Sequence, residues 1–168
     1  MNRKLNAEMI IRPEPLSREA FMPFGDVIEI SGHHAELINS GNTQKFPDQA
    51  SFVAAEQGSL GLSIYRSQPC EMPFTLKTLE CHPLGSQAFY PLHSRPFPVV
   101  VALAVADSGV MNIRAFMTNG MQGVNLNPGI WHHYQLSLGQ ESDYLVIDRA
   151  GNGNFEEFVL PEPLLLKI

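Results

Sequence analysis

The chain contains a series of short segments rich in β-branched and aromatic residues. They recur roughly every 8 to 15 residues, a spacing typical of strands in sandwiches and barrels. The 13 glycines and 13 prolines lie singly along the chain, where they favour turns. This pattern predicts a mainly β fold of the sandwich or barrel type. The six candidate strands are residues 60–66, 74–82, 87–92, 97–105, 112–118 and 143–149.

Two short helices are predicted beside the strands. The first lies within residues 16–25, where Ser17 is a candidate N-cap, and the second lies near residues 48–58. The polar segment 33–48 is predicted to be a long loop, and long loops in compact domains are often functional. The 168 residues suit one domain, 1–168, because a chain of that size buries about 70% of its unfolded surface.

Composition argues against several classes of partner. The net charge of −6 is spread along the chain without a basic stripe, which argues against a nucleic-acid binder. The N-terminus lacks the apolar stretch of a signal peptide, and the longest apolar run, residues 99–106, is far too short to span a membrane. Cys70 and Cys81 have no metal-ligand spacing. We therefore expect a cytoplasmic protein without nucleic-acid or membrane partners. An anionic small-molecule substrate would need a local positive site.

Strand 74–82 ends in Glu80-Cys81-His82, which puts a carboxylate and an imidazole two residues apart. Side chains alternate faces along a strand, so Glu80 and His82 are predicted to share a face with Leu76, while Cys81 points the other way. If the shared face is interior, Glu80 and His82 enter a barrel together near its mouth. The alternative is a solvated strand end whose two polar residues have no chemical role.

A second polar segment, residues 123–136, contains an Asn-Pro-Gly turn followed at once by Trp131, His132 and His133. Adjacent side chains of an extended segment face opposite sides, so at most one of the two histidines enters the same interior as Glu80. We expect His133 to face outward or to lie in a subunit contact. The alternative is a pair of ordinary strand or loop histidines.

The two segments together resemble the two cupin motifs. One of these has a His-x-His pair and then a glutamate, and the other has a third histidine after a Pro-x-Gly turn. Glu80 and His82 lie where the histidine pair would be, and Gln87 replaces the glutamate five residues later. Gly129 and His132 match the second motif. A set of Glu80, His82, Gln87 and His132 could hold a divalent ion, less tightly than three imidazoles and a carboxylate would.

A closer resemblance covers residues 13–161. The segments "ECHPLGSQAFYPL", "FPVVVALAV", "IRAFMTNGMQGVNLNPGIWHHYQL" and "DYLVIDRAG", in this order, are similar to those of the ureidoglycolate lyase family. The opening "PLSREAFMPFGDVIE" and the loop "INSGNTQKF" fit the same family. Cys81 stands where we expect a larger polar or basic residue, but by parity it points away from the site.

The resemblance implies a cupin-like, double-stranded β-barrel of the jelly-roll type, with residues 1–12 as an N-terminal extension. It implies a carbon–nitrogen lyase of the amidine-lyase type that splits (S)-ureidoglycolate into glyoxylate and urea in the degradation of allantoin and purines. It also implies a homodimer. Nickel is the metal associated with bacterial members of the family, and no organic cofactor is implied.

Ureidoglycolate is a hemiaminal that carries a carboxylate, so its cleavage needs a base, an acid and a group that binds the carboxylate. His82 is the candidate base because an ordinary imidazole titrates at about 6.5. Glu80 orients His82 or serves as a metal ligand. Arginine recognises carboxylates through two parallel hydrogen bonds, although each arginine could also be a surface residue. The candidate substrate-binding residues are Asn39, Ser40, Arg66, Gln87, Phe89, Arg114 and Trp131, with Arg149 as a further carboxylate anchor.

Residues 99–106 show no alternation, so both faces of this strand are predicted to be buried. One face of a single barrel looks outward, and a second subunit is one way to cover it, which favours a homodimer. Three other functions remain open. They are an amidohydrolase that releases ammonia from ureidoglycolate, a metal-dependent cupin oxygenase or isomerase, and a non-catalytic cupin that binds a small organic acid.

Overall fold

The computed structural model describes residues 9–105 and 109–168. This part of the chain consists mostly of strands, with one short helix. In chain order the elements are β1 (Met9–Ile11), β2 (Glu14–Pro15), α1 (Arg18–Phe21), β3 (Gly25–Ile28), β4 (Glu36–Ile38), β5 (Thr43–Lys45), β6 (Ser59–Ser67), β7 (Pro69–Cys70), β8 (Phe74–Cys81), β9 (Gln87–Pro91), β10 (Pro98–Val105), β11 (Gly109–Met117), β12 (Gly123–Leu126), β13 (Trp131–His132), β14 (Ser137–Leu138), β15 (Ser142–Ala150) and β16 (Glu156–Leu166).

Two sheets dominate the fold. The larger has seven strands in the order β1-β16-β8-β13-β10-β11-β2, and it is strongly curled. The smaller has five strands in the order β3-β12-β9-β15-β6. The two remaining sheets have two strands each, β14-β7 and β4-β5. The mainly β, cupin-like fold predicted from the strand pattern and the resemblance is confirmed.

Two apolar clusters lie on opposite faces of the seven-stranded sheet. The inner cluster fills the space between the two large sheets, because Val101 and Phe116 from one sheet are buried together with Phe89 and Val146 from the other. The outer cluster uses the opposite face of the same strands. Its buried members are Leu76, Leu79, Val100, Ala102, Ala115, Leu136, Leu160, Leu164 and Leu166.

The outer cluster explains the apolar strand 99–106 within one chain. Val100 and Ala102 lie on the outward face of β10, yet they are 2% and 0% exposed. Leucines of β8 and β16 and Leu136 cover that face. The two-sided apolar pattern therefore does not itself require a second subunit. Residue 106 lies outside the described residues.

The six predicted strands correspond to β6, β8, β9, β10, β11 and β15. The predicted first helix is also present, although it is shorter than residues 16–25. Ser17 caps α1, and its hydroxyl accepts a hydrogen bond from the backbone N–H of Ala20 at 3.2 Å. In the described part of the chain, no helix has the length and apolarity needed to cross a bilayer.

The prediction of a second helix near residues 48–58 is wrong. The segment is extended, and Asp48, Glu56 and Gln57 have left-handed φ values of 55°, 52° and 58°, which no α-helix contains. Its backbone instead bonds to the chain before β9, since the N–H of Val53 donates to the Ser86 hydroxyl at 2.8 Å. The backbone N–H of Ser86 donates back to the Val53 carbonyl at 3.0 Å. Tertiary hydrogen bonds thus override the local helix propensity.

The segment 33–48 is not wholly a loop. It contains the hairpin β4-β5, whose turn places Asn39 and Ser40 at left-handed φ values of 54° and 58°. Residues 1–8 of the predicted N-terminal extension lie outside the described residues. Residues 9–11 form β1, which pairs in parallel with the end of β16.

Strand β8 departs from regular alternation. Leu76 and Leu79 belong to the same outer cluster although they are three positions apart, and the register with β16 shifts between Val159 and Leu164. The prediction that Leu76 shares a face with Glu80 and His82 is therefore wrong.

Candidate active site

His82 follows directly after β8 and is fixed by one hydrogen bond. Its Nδ1 lies 2.6 Å from the backbone oxygen of Asn154, which can only accept, so Nδ1 carries the proton and donates. Nε2 is then a free lone pair. It is buried, and it has no hydrogen-bond partner among the described residues. A buried lone pair without a donor is suited to hold a cation or to accept a proton.

His132 is brought to the same place by the turn before β13. Gly129 adopts a left-handed φ of 77°, and its N–H donates to the backbone oxygen of His82 at 3.0 Å. This bond ties the turn to the end of β8. His132 is directly opposite Glu80 in the ladder, and its Nδ1 lies 3.0 Å from the backbone oxygen of Ile130. His132 is 1% exposed, so its Nε2 points into the interior.

Two oxygen acceptors lie close to the buried Nε2 of His132, and a second imidazole lies beside its ring. This Nε2 lies 3.0 Å from Oε1 of Gln87 and 3.5 Å from Oε1 of Glu80, and the ring centroids of His132 and His82 are 5.3 Å apart. The Gln87 amide keeps this orientation because its Nε2 donates to the carboxylate of Asp148 at 3.4 Å. Two oxygen acceptors therefore face an imidazole whose other nitrogen already donates. Either His132 carries a second proton or a cation balances these lone pairs.

The donor set suits a divalent metal ion. One ligand atom from each of Glu80, His82 and His132 lies within 4.8 Å of the other two. Two imidazoles and a carboxylate are ligands that nickel, zinc and iron accept, and Gln87 could add an amide oxygen. The two imidazoles also each donate their second nitrogen to a backbone carbonyl, which is the usual support of a metal-binding histidine.

The charge of Glu80 is set by its neighbours. Burial raises the pKa of this carboxyl group. The hydrogen bond from His132 and the charges of His132, His82 and His133 outweigh that effect and hold the pKa below its ordinary value. Glu80 is therefore ionised at neutral pH, as a metal ligand or an ion-pair partner must be.

Two further polar side chains extend the cluster toward the five-stranded sheet. Asp148 lies opposite Gln87 in the ladder, and its Oδ2 accepts a hydrogen bond from the Tyr65 hydroxyl at 3.4 Å. Burial, then the charge of Asp148 and the hydrogen bond to it, raise the pKa of Tyr65, so its phenol stays protonated. The ring of Phe89 lies between them and His132, at centroid distances of 6.3 Å to Tyr65 and 6.4 Å to His132.

A family model described as ureidoglycolate lyase matches residues 8–167. The chain belongs to the ureidoglycolate lyase family. A protein named ureidoglycolate lyase from Burkholderia mallei (strain NCTC 10229) is 51% identical over 155 residues, which cover 91% of this chain and 91% of the relative. One of the same name from Pseudomonas entomophila (strain L48) is 48% identical over 156 residues, 91% of this chain and 93% of the relative. Another, from Pseudomonas aeruginosa (strain UCBPP-PA14), is 47% identical over 146 residues, 86% of each chain.

In this member of the ureidoglycolate lyase family, the structure brings together Glu80, His82, Gln87 and His132, with Phe89 beside them. It does not bring the candidate arginines to the same cluster. Arg66 pairs with Asp143 at 2.8 and 2.9 Å on the exposed side of β6. Arg114 pairs with Glu14 at 2.6 Å and donates to the backbone oxygen of Ala20 at 3.0 Å. Arg149 donates to the backbone oxygen of Ala55 at 2.9 Å.

Three other candidates also lie apart from the cluster. Trp131 faces the outer cluster, where its ring is 5.9 Å from that of Phe158. Asn39 and Ser40 form the exposed tip of the hairpin β4-β5, and the side-chain amide of Asn39 donates to the Thr43 hydroxyl at 3.2 Å.

The sequence analysis missed Tyr65 and Asp148, which lie beside this polar cluster. Asp148 shares the inward face of β15 with Tyr144 and Val146, both fully buried. The period of two along residues 143–149 could have indicated Asp148, but it left open whether Asp148 or Arg149 faces inward. Tyr65 carries no such indication, because the residues around it on β6 are exposed on both faces.

Proposed function

We propose that this chain is a lyase that cleaves (S)-ureidoglycolate into glyoxylate and urea in the degradation of allantoin and purines. The observation that carries the proposal is the similarity over 91% of the chain to relatives that bear this name. The convergence of Glu80, His82, Gln87 and His132 in the interior supports it, because the cleavage needs a lone pair that can take a proton beside a charged, partly dehydrated site.

His82 can handle the proton in both halves of the reaction. Its Nε2 lone pair accepts the proton of the substrate hydroxyl, the electrons of that O–H bond form the aldehyde C=O, and the C–N bond breaks. The departing nitrogen then takes the proton from His82. One imidazole can do both because the hydroxyl oxygen and the nitrogen are bonded to the same carbon. A placed acid–base group of this kind contributes on the order of 10²–10⁴-fold in rate.

We propose Glu80, His82 and His132 as the residues that hold a divalent ion, with nickel as the candidate from the family resemblance. When bound, such an ion would act as a Lewis acid that makes the substrate hydroxyl more acidic. The Nε2 lone pair of His82 serves one role at a time, either as the base or as a ligand. The three arginines proposed as carboxylate anchors make their contacts elsewhere. A bound divalent ion would supply the positive charge that the substrate carboxylate needs.

Treatment with a chelator distinguishes the two proposed roles of His82. If it is a ligand, dialysis against a chelator should lower turnover by about 10²-fold or more, and nickel should restore it. The His82→Ala variant should then retain much less nickel than the wild-type protein by elemental analysis. Full turnover after chelation, with no metal detected, would leave His82 as the base.

The products of the reaction test the proposed function itself. Purified protein given (S)-ureidoglycolate should form urea and glyoxylate in equal amounts. Ammonia in place of urea would replace the lyase with an amidohydrolase. Binding without any turnover would instead indicate a cupin that only binds a small acid.

We further propose a cytoplasmic homodimer. The outward face of β6, the edge strand of the five-stranded sheet, exposes Leu60, Leu62 and Ile64, which are 47%, 65% and 54% accessible. A row of exposed apolar side chains on a free edge suits an antiparallel contact with a second copy across a two-fold axis. Cys70 and Cys81 are both free thiols, which suits a reducing compartment. A monomer mass by light scattering at micromolar concentration would contradict the dimer.

A further inference from the structure

Asp148 lies on an inward strand face, and only one of its two carboxylate oxygens accepts the hydrogen bonds from Tyr65 and Gln87. Its two hydrogen bonds, from Tyr65 and from Gln87, both end on the same oxygen, Oδ2, at 3.4 Å. The other oxygen, Oδ1, takes part in neither bond. Across the ladder on β6 stands Gly61, and a side chain there would begin 4.0 Å from Oδ1. A Cβ would fit there in ordinary van der Waals contact with Ala150 and Asp148, so glycine leaves that volume beside Oδ1 free of a side chain.

Gln87 connects Asp148 to the histidine centre. Its Oε1 lies 3.0 Å from Nε2 of His132, and its Nε2 donates to Oδ2 of Asp148 at 3.4 Å. The two ends of the site are thus separated by the length of one amide group and two hydrogen bonds. A small substrate whose reacting carbon lies at the histidines could therefore extend its other end to Asp148.

We propose that Asp148 binds the ureido end of the substrate, with Tyr65 and Gln87 as the residues that position its carboxylate. The inference rests on the proposed lyase function and goes beyond it by assigning the recognition of the part that leaves as urea. An ionised carboxylate is an acceptor only, and a ureido group presents two N–H bonds side by side, so the two can form a pair of parallel charge-assisted hydrogen bonds. Glu80 is less available for this role because its Oε1 faces His132 at 3.5 Å.

Two substrate fragments test this assignment by binding rather than by turnover. Hydantoate (N-carbamoylglycine) has the ureido and carboxylate groups without the hydroxyl, and glycolate has the hydroxyl and carboxylate without the ureido group. The Asp148→Asn variant should bind hydantoate about tenfold or more weakly, since a charge-assisted hydrogen bond is lost and an amide N–H faces the ligand. Its affinity for glycolate should stay the same or rise, because one negative charge is removed.

Asp143→Asn is the matched control. Asp143 lies on the same strand, but it pairs with Arg66 on the exposed side of the sheet. This variant should bind both fragments as the wild-type protein does. Loss of the negative charge alone would strengthen the binding of both anions. Opposite changes in the affinities for hydantoate and glycolate are therefore specific to ureido recognition. Equal affinity of Asp148→Asn and wild-type protein for hydantoate would overturn the inference, as would an equal loss for both fragments.

Tyr65→Phe removes one of the two donors to Asp148 and should weaken hydantoate binding several-fold with no change for glycolate. Tyr90→Phe is its control, because Tyr90 lies beside Leu145 and Ile147 on the outward face of the same sheet. Failure of the proposed function gives a different result. In that case wild-type protein neither cleaves ureidoglycolate nor binds either fragment, which also overturns the inference. Normal cleavage by wild-type protein together with unchanged hydantoate binding by Asp148→Asn overturns the ureido assignment alone.

Discussion

His132 and His133 are neighbours in the chain, yet they lie on opposite faces of the seven-stranded sheet. His132 points inward, where its Nε2 meets Gln87 and Glu80. His133 points outward, where its ring packs edge-on against Phe74 at 5.4 Å. Both side chains are buried, at 1% and 7% exposure. Burial alone therefore does not make a histidine part of an active site, because the partners on each face decide its chemistry.

On the outer face, the titratable side chain of His133 serves as a packing group. Burial lowers the pKa of His133, and its hydrogen bond to the Tyr134 backbone and the charge of Glu80 offset this only in part. His133 is thus held neutral among apolar side chains. On the inner face the same kind of ring meets a carboxylate, an amide and a second imidazole. The outer face around His133 thus serves packing, whereas the inner face carries both the inner apolar cluster and the polar residues of the candidate site.

The largest expected effect on stability lies on the outer face. Leu79 is 1% exposed in the outer cluster, so Leu79→Ala should lower the free energy of unfolding by about 2–5 kcal/mol. The folded variant should keep nearly normal kcat, since the side chains of Leu79 and Glu80 lie on opposite faces of the strand. Urea denaturation combined with kinetics on the folded fraction provides the measurement. A large loss of kcat at full folding would show that the two faces are not separate.

Glu80→Gln should lower kcat/KM by about tenfold or more, because a charge-assisted contact to His132 is lost. Stability should depend on pH in a defined way. The pKa of Glu80 is lower in the folded than in the unfolded chain, so its ionised form stabilises the fold at pH 7, and that contribution fades as pH falls below about 4.3. The stability difference between wild-type protein and this variant should therefore shrink on acidification. A difference that grew toward low pH would contradict the assignment.

The smallest effect is expected from Arg66, one of the carboxylate anchors considered from the sequence. Its guanidinium group pairs with Asp143 on the exposed side of β6, with a side chain that is 63% accessible. Arg66→Gln should leave KM for ureidoglycolate within about twofold of the wild-type value, as for most surface substitutions. A tenfold rise in KM would mean that Arg66 reaches the substrate by a rearrangement or from a second subunit.

The polar cluster could be anticipated because its elements are local. Residues two apart in the extended chain at the end of β8 share a face, which places Glu80 and His82 together, and the turn at Gly129 fixes how His132 enters the sheet. These features depend on period and turn chemistry, which a sequence displays directly. The strands β6, β8, β9, β10, β11 and β15 were predictable for the same reason, whereas β16, the longest strand in the described residues, was not predicted.

What escaped prediction depends on contacts between segments far apart in the chain. The pairing of β15 with β9 decides whether Asp148 or Arg149 faces inward. The hydrogen bonds between Val53 and Ser86 hold residues 48–58 in a non-helical conformation. Residues of β8 and β16, together with Leu136, pack on the outward face of β10. Since these residues are distant in the chain, the sequence did not show what buries that face. Local patterns do not determine such partners.

If the inward face of β8 and β13 carries the chemistry, two histidine variants should differ sharply in turnover. The kcat/KM of His82→Ala and His133→Ala should be measured in the same assay, with circular dichroism to confirm that both variants fold. His82→Ala should lose about 10²-fold or more, because it lacks the free Nε2 lone pair as base or ligand, while His133→Ala should stay within about tenfold. Near-normal turnover in His82→Ala with a large loss in His133→Ala would contradict the account.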